Sequence, residues 1–231
     1  MHKTISDLLS PGDASCLFLD LDGTLTDPSE GITRGVMYAL ERFGIHEDDP
    51  KKLYPFIGPP LYDSFMRCYD FDLPTAYKAI EYFQEYYASQ GMYENIPYPG
   101  ISSLLHRWHD EGRRLVLATS KPEVFAVRIL ERFGMADAFT FIAGGDVAET
   151  RVEKRMVIEY AMKTLNMADS RNCLMIGDRK FDVLGAAAHG MPALGVLYGF
   201  GSREELLEAG TRWLAKDVEE LGALLDRTRH H

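Results

Sequence analysis

The chain has 231 residues, 46% hydrophobic and 26% charged, a balance that suits one large α/β domain or a core with a smaller insertion. Its 35 Asp and Glu outnumber 25 Lys and Arg, and a formal charge of -10 lacks the basic footprint that nucleic-acid polymers require. Three cysteines, Cys16, Cys68 and Cys173, have no paired spacing, which excludes a cysteine zinc site and leaves the expectation of reduced, buried thiols in a cytoplasmic protein.

Residues 1–14 are polar and are expected to lead into the first strand, with no signal-peptide pattern. No apolar run approaches the ~20 residues that span a bilayer, so no membrane partner is expected. The terminal His230-His231 pair is set aside. Cys16-Leu17-Phe18-Leu19 is an apolar run that reads as a buried parallel strand, ending in Asp20-Leu21-Asp22-Gly23-Thr24. Ile32, Val36, Leu40 and Phe43 then mark one face of a helix stopped by Gly44. Pro55 to Pro60 is a turn-rich break. Leu61, Phe65 and Tyr69 form a second helical stripe, and Tyr77, Ile80, Phe83 and Tyr87 a third behind Pro74. Residues 29–97 are thus expected to be all-helical.

From residue 98 the pattern alternates. A helix carries Ile101, Leu104, Leu105 and Trp108, and the strand Leu115–Ala118 ends in Thr119-Ser120-Lys121. A helix behind Pro122 leads to a strand at Phe139–Ala143 and to Gly144-Gly145-Asp146. A helix with Val157, Ala161 and Leu165 follows, then the strand Cys173–Ile176 ending in Gly177-Asp178, a small-residue helix, and a fifth strand at Ala193–Leu197. Ser202-x-x-Glu205 and Asp217-x-x-Glu220 read as N-terminal capping boxes of the last two helices. Alternating strands and helices give a doubly wound, Rossmann-like parallel sheet. The expected organisation is an α/β core of residues 1–28 and 98–231 with an all-helical cap at 29–97 inserted after the first strand.

In such a sheet ligands bind beyond the carboxyl ends of the strands. Those ends carry Asp20 and Asp22, Thr119, Ser120 and Lys121, Gly144-Gly145-Asp146, and Asp178 with Asp182, while Lys154 starts the helix after the third strand. Carboxylates gathered on one rim need cations, and a divalent metal such as Mg²⁺ fits, keeping waters and phosphate oxygens as its other ligands. The set suits phosphoryl transfer to an aspartate: Asp20 as nucleophile, Asp22 as a proton carrier that acts first as acid and then as base, with Mg²⁺ and Lys154 neutralising charge. As simpler readings, Asp-Gly is a common turn pair, Asp182 a first-turn acid, Asp146 a turn residue, and Arg34 and Arg67 members of solvated helix faces. Cys173 and Arg179 match the C-x₅-R spacing of cysteine-dependent phosphatases, but the intervening residues read as buried strand.

Four signatures in order resemble the phosphatases of the haloacid dehalogenase-like superfamily: Asp20-x-Asp22-Gly23-Thr24, Thr119, Lys154, and Gly177-Asp178-x-x-x-Asp182. The lysine stands in an Arg151-x-x-Lys154 setting rather than the commoner Lys-Pro. The resemblance implies that Asp20 and Asp178 ligate Mg²⁺ by side chain and Asp22 by its backbone carbonyl, that Thr119, Ser120 and Lys154 bind the phosphoryl group, and that Asp182 acts from behind. The stretches Phe56–Leu61 and Gly195–Gly201 are similar to the phosphoglycolate phosphatase-like branch. A small phosphorylated metabolite is therefore the expected partner, phosphoglycolate first and nucleoside monophosphates, aryl phosphates or pyrophosphate as rivals. A phosphomutase similar to β-phosphoglucomutase and a non-enzymatic receiver-like module are the alternatives. The oligomeric state stays open.

Overall fold

The computed structural model describes residues 10–146 and 150–226. The expected lead-in over 1–9 and the terminal histidines lie outside them. The chain divides into two compact units, one of Met1–Leu25 with Pro97–His231 and the other of Thr26–Ile96.

The first unit is built on a six-stranded parallel sheet. Its strands are β1 (Cys16–Leu19), β4 (Arg114–Pro122), β5 (Phe141–Gly145), β6 (Cys173–Gly177), β7 (Ala193–Val196) and β8 (Trp213–Ala215), in the spatial order β5-β4-β1-β6-β7-β8. The connecting helices are α4 (Ile101–Asp110), α5 (Glu123–Arg132), α6 (Lys154–Thr164), α7 (Lys180–Ala187), α8 (Arg203–Glu208) and α9 (Val218–Leu225). Side chains alternate across a strand. Cys16 and Phe18 pack on one face with Val116, Ala118 and Met175 against Val157, Ile158 and Ala161 of α6 and Val183 and Ala186 of α7. The intervening Leu17, Leu19, Leu115, Leu117, Leu174 and Ile176 are equally buried, so the sheet is covered on both faces.

The second unit holds α1 (Ser29–Glu41), α2 (Leu61–Tyr69) and α3 (Leu73–Ser89). Asp72 caps α3 by accepting from the Thr75 N–H at 2.9 Å. Gly58, at φ +102°, turns the chain ahead of Pro60, the N-cap of α2. Phe56 and Phe65 meet edge to face at 4.9 Å between ring centroids. The short strands β2 (Thr26–Asp27) and β3 (Ile96–Pro97) pair with each other.

Five sequence expectations are corrected. The sheet has a sixth strand, β8, a three-residue edge strand too short to show a periodic pattern. β5 starts at Phe141 because a 3₁₀ turn occupies Ala136–Ala138, and its last bond, from the Phe139 N–H to Ala136 O, delays the pairing. The segment 29–97 includes β3. Tyr77 is 44% exposed: the buried stripe of α3 runs Ala76, Ala79, Ile80, Phe83, Tyr87, and Tyr77 stacks on Tyr62 at its margin. Cys68 is exposed on α2, whereas Cys16 and Cys173 are buried and face each other across the β1–β6 register. Among the described residues no helix is long and apolar enough to cross a membrane.

Candidate active site

The chain leaves β1 for β4 and β5 on one side and for β6, β7 and β8 on the other, so the sheet's switch point lies beside the carboxyl end of β1. Asp20 is the next residue after β1. Its N–H donates to Ile176 O at 3.0 Å, which extends the pairing with β6. Asp20 also continues the parity of Cys16 and Phe18, which directs it toward the face that α6 covers. Lys154, the first residue of α6, lies there. Its Nζ is 2.6 Å from Asp20 Oδ1, 2.8 Å from Asp182 Oδ1, and donates to Ala118 O at 2.8 Å. Three oxygens thus surround a three-donor ammonium. Gly185 of α7 lies against the lysine stem, where a Cβ would stand 2.8 Å from Lys154 Cβ. Burial works to lower the Lys154 pKa, but Asp182 and then Asp20 outweigh it and hold the ammonium above its ordinary range.

Asp178 follows β6 directly, and Asp182 lies in the first turn of α7, where its Oδ2 accepts from the Arg179 N–H at 3.1 Å. Carboxylate oxygens of Asp20, Asp178 and Asp182 lie within 4.8 Å of one another, and all three residues are buried. Burial pushes Asp178 well above the usual carboxylate range, reinforced by Asp182 and Asp20. Burial likewise pushes Asp182 up to about 6, with Lys154 opposing it. Asp178 Oδ2 accepts from the Phe200 N–H at 2.7 Å, whereas its Oδ1 is buried with no hydrogen-bond partner. Three buried acids close together, two of them on Lys154 and the third with an oxygen that has no partner, are a donor set that fits a hard divalent cation such as Mg²⁺.

Asp22 joins a different lysine. Lys121 Nζ is 2.6 Å from Asp22 Oδ2, and both side chains are largely shielded from solvent. Burial raises the Asp22 pKa, and Lys121 pulls it back down. Thr119 is buried where the pairing of β4 turns irregular, and its Oγ1 accepts from the Lys121 N–H at 3.3 Å. Ser120 is half-buried in the irregular part of β4, two residues before Pro122, the N-cap of α5.

Two glycine positions make the packing around Asp178 possible. Gly23 sits at φ +81°, and a Cβ there would stand 2.2 Å from Asp178 Oδ2. A Cβ on Gly201 would stand 1.9 Å from Asp178 O. The loop after β7 is also tied to the first motif by the Tyr198 hydroxyl, which donates to Thr24 O at 3.1 Å. Sequence reasoning placed this loop only by resemblance and gave Lys121 no role. Glycines on either side of an aromatic at a strand's carboxyl end, and a lysine two residues beyond Thr119, were the available signals.

The simpler readings also resolve. Asp146 is a turn residue that accepts from the Thr150 and Arg151 N–H groups. Arg34 pairs with Glu30 and Glu94, and Arg67 with Asp63, each arginine on an exposed helix surface. Cys173 begins β6 at the end remote from Asp178. Its thiol is pushed up by Cys16 and by burial, and Arg179 pairs with Glu205, so the C-x₅-R spacing builds no phosphate loop.

Comparison with known proteins adds a family. The family model described as haloacid dehalogenase-like hydrolase matches residues 17–196. A 5'-nucleotidase from Pseudomonas aeruginosa is 45% identical over 91% of this chain and 95% of its own. The tyrosine-protein kinase PtkA of Mycobacterium tuberculosis is 35% identical over 92% of this chain and 73% of its own. The crystal structure of a predicted phosphatase from Clostridium acetobutylicum superposes with a TM-score of 0.88 at 47% identity, covering 91% of this chain and 97% of that one.

Proposed function

We propose that this chain, a member of the haloacid dehalogenase-like hydrolase family and a phosphatase, hydrolyses a small phosphomonoester through a phosphoaspartate on Asp20, with Mg²⁺ as cofactor. The observation that carries the proposal is the buried cluster of Asp20, Asp178 and Asp182, with Lys154 on Asp20 and Asp182 and with Asp178 Oδ1 lacking a partner. Asp20 and Asp178, with the Asp22 carbonyl, would hold Mg²⁺, which when bound supplies positive charge to the phosphoryl oxygens and the nucleophile.

The chain's own groups divide the remaining work. The Asp20 carboxylate attacks phosphorus, and the bond from phosphorus to the ester oxygen breaks. Lys154, 2.6 Å from Asp20 Oδ1, holds that carboxylate in place and offsets the negative charge of the phosphoryl group. The Thr119 hydroxyl, which accepts from the Lys121 N–H, has its own proton to donate to a phosphoryl oxygen. Asp22, whose pKa burial raises, gives a proton to the departing alkoxide and then takes one from the water that hydrolyses the acyl phosphate. The helical unit Thr26–Ile96 is, in this reading, the cap that selects the substrate.

The 45%-identical relative named 5'-nucleotidase favours a nucleoside 5'-monophosphate as substrate, while the motif resemblance favours phosphoglycolate. The free-thiol composition supports a cytoplasmic setting. The test is phosphate release across a phosphomonoester panel with Mg²⁺, ranked by kcat/KM. Multiple turnover with one of these two classes at the head is expected, and it should vanish in Asp20→Asn. Conversion of glucose 1-phosphate to glucose 6-phosphate would instead establish a mutase. A single labelled phosphoryl group retained without turnover would establish a receiver-like module. Net phosphoryl transfer from ATP to tyrosine would place the chain with the kinase-named relative.

A further inference from the structure

We infer that Lys121 is a positioning residue for Asp22: its ammonium clamps Oδ2 so that Oδ1 is the oxygen presented to the reacting groups. The inference rests on the proposed phosphatase chemistry and deepens it. The torsion that turns a carboxylate about its last bond is broad and roughly two-fold, so packing alone fixes the two oxygens poorly. A contact to one oxygen fixes the other. Lys121 Nζ lies 2.6 Å from Oδ2, with the lysine and aspartate side chains 6% and 11% exposed. Oδ1 is buried and has no hydrogen-bond partner. An oxygen left without a partner in a buried site costs free energy unless something else uses it.

The close contacts also divide between the two lysines. Lys154 takes Asp20 and Asp182, while Lys121 takes Asp22, so the acid that attacks and the acid that carries the proton have separate lysines. Lys121 is placed for this by the irregular end of β4. The register with β5 shifts between Ala118 and Pro122, and the Lys121 N–H donates to Thr119 Oγ1. One short stretch therefore sets both the hydroxyl and the clamp. A buried ion pair adds little net stability against apolar residues of similar volume, which leaves orientation as its role here. In the reaction, Oδ1–H gives its proton to the ester oxygen as that bond to phosphorus breaks. Oδ1 then takes a proton from the water whose oxygen bonds to phosphorus as the bond from phosphorus to Asp20 breaks and the Asp20 carboxylate is regenerated.

A double-mutant cycle on a nucleoside 5'-monophosphate, a substrate with a poor leaving group, tests this. Lys121→Met should lower kcat by about 10²-fold, the scale of a misplaced catalytic group, with little change in KM. Lys121→Gln, whose amide still donates to Oδ2, should keep more of kcat than Lys121→Met. In an Asp22→Asn background, Lys121→Met should lower kcat no further. Equal losses in both backgrounds would overturn the inference, as would a raised KM with kcat kept, the signature of a phosphate ligand. Should Lys121→Met fail to give a cooperative thermal transition, Lys121→Gln carries the same cycle. Those results would leave the phosphatase reading intact. Wild-type kcat in Asp22→Asn alone would instead remove the proton-carrier role itself, and the inference with it.

Discussion

Lys154 is the residue on which most of the site's electrostatics turns. It is a buried ammonium shared by two buried carboxylates and a strand carbonyl. Removing one partner of such a group leaves charge stranded in a poorly solvated place, which costs about 3–5 kcal/mol. Lys154→Met should therefore lower the urea unfolding free energy by an amount of that order, about 3 kcal/mol at pH 7. The loss should shrink at pH 5, where the stranded carboxyls can take up protons. A loss that stays the same at both pH values would show that Lys154 contributes packing rather than charge.

At the scale of elements, the ends of strands and helices place the chemistry. β1 delivers Asp20, the irregular end of β4 delivers Thr119 and Lys121, the first turn of α6 delivers Lys154, and β6 with α7 delivers Asp178 and Asp182. α8 supports this rim through Glu205, which accepts from Arg179 Nε and from the Lys180 N–H. The N-cap of α8 is Ser202, whose hydroxyl accepts from the Glu205 N–H at 3.1 Å. Ser202→Ala should cost about 1 kcal/mol in urea unfolding, and Ser202→Asp should recover most of it, because both hydroxyl and carboxylate accept from the helix's first N–H groups. Equal losses in the two variants would mean that the cap bond is not what stabilises α8.

The same scale explains which elements were legible in the sequence. β1 and β6 are continuous apolar runs that end in acids, so strand and site could be read together. β8 is three residues of an edge strand, and periodicity needs a longer window. α3 was found, but its buried stripe begins at Ala76 rather than Tyr77, because an aromatic at a helix margin reads as apolar although its ring is exposed. The four acids could be placed on one rim because each stands at or just beyond the carboxyl end of a strand. The lysine partner of Asp22 was not, since which cation meets which acid is set by the turn at the end of β4 and not by local pattern.

Over the whole molecule, the acid cluster makes stability depend on pH, and the proposed Mg²⁺ site would couple that dependence to cations. The Asp182 carboxyl is held up to about 6 from an ordinary 3.8, and Asp178 is raised as well. An acid whose folded pKa lies above its unfolded one favours the fold when protonated. That contribution is complete below about 3.8 and is lost as pH rises through about 6. A divalent cation held by the cluster, as proposed, would oppose the loss by neutralising the same carboxylates. Mg²⁺ should therefore raise Tm at pH 7.5, by less at pH 5 where protons compete, and hardly at all in Asp178→Asn. An increment that is independent of pH, or one retained in Asp178→Asn, would place the cation elsewhere.

The nucleophilic role of Asp20 is the claim on which the rest depends, and it leaves a chemical mark. An acyl phosphate is reduced by borohydride to an alcohol, whereas a free carboxylate is not. Rapid quench of a single turnover into borohydride, followed by mass spectrometry of the peptide that spans β1, should find homoserine at position 20, and only when substrate is present. Unmodified Asp20 during active turnover, or homoserine at another acid of the cluster, would contradict the mechanism.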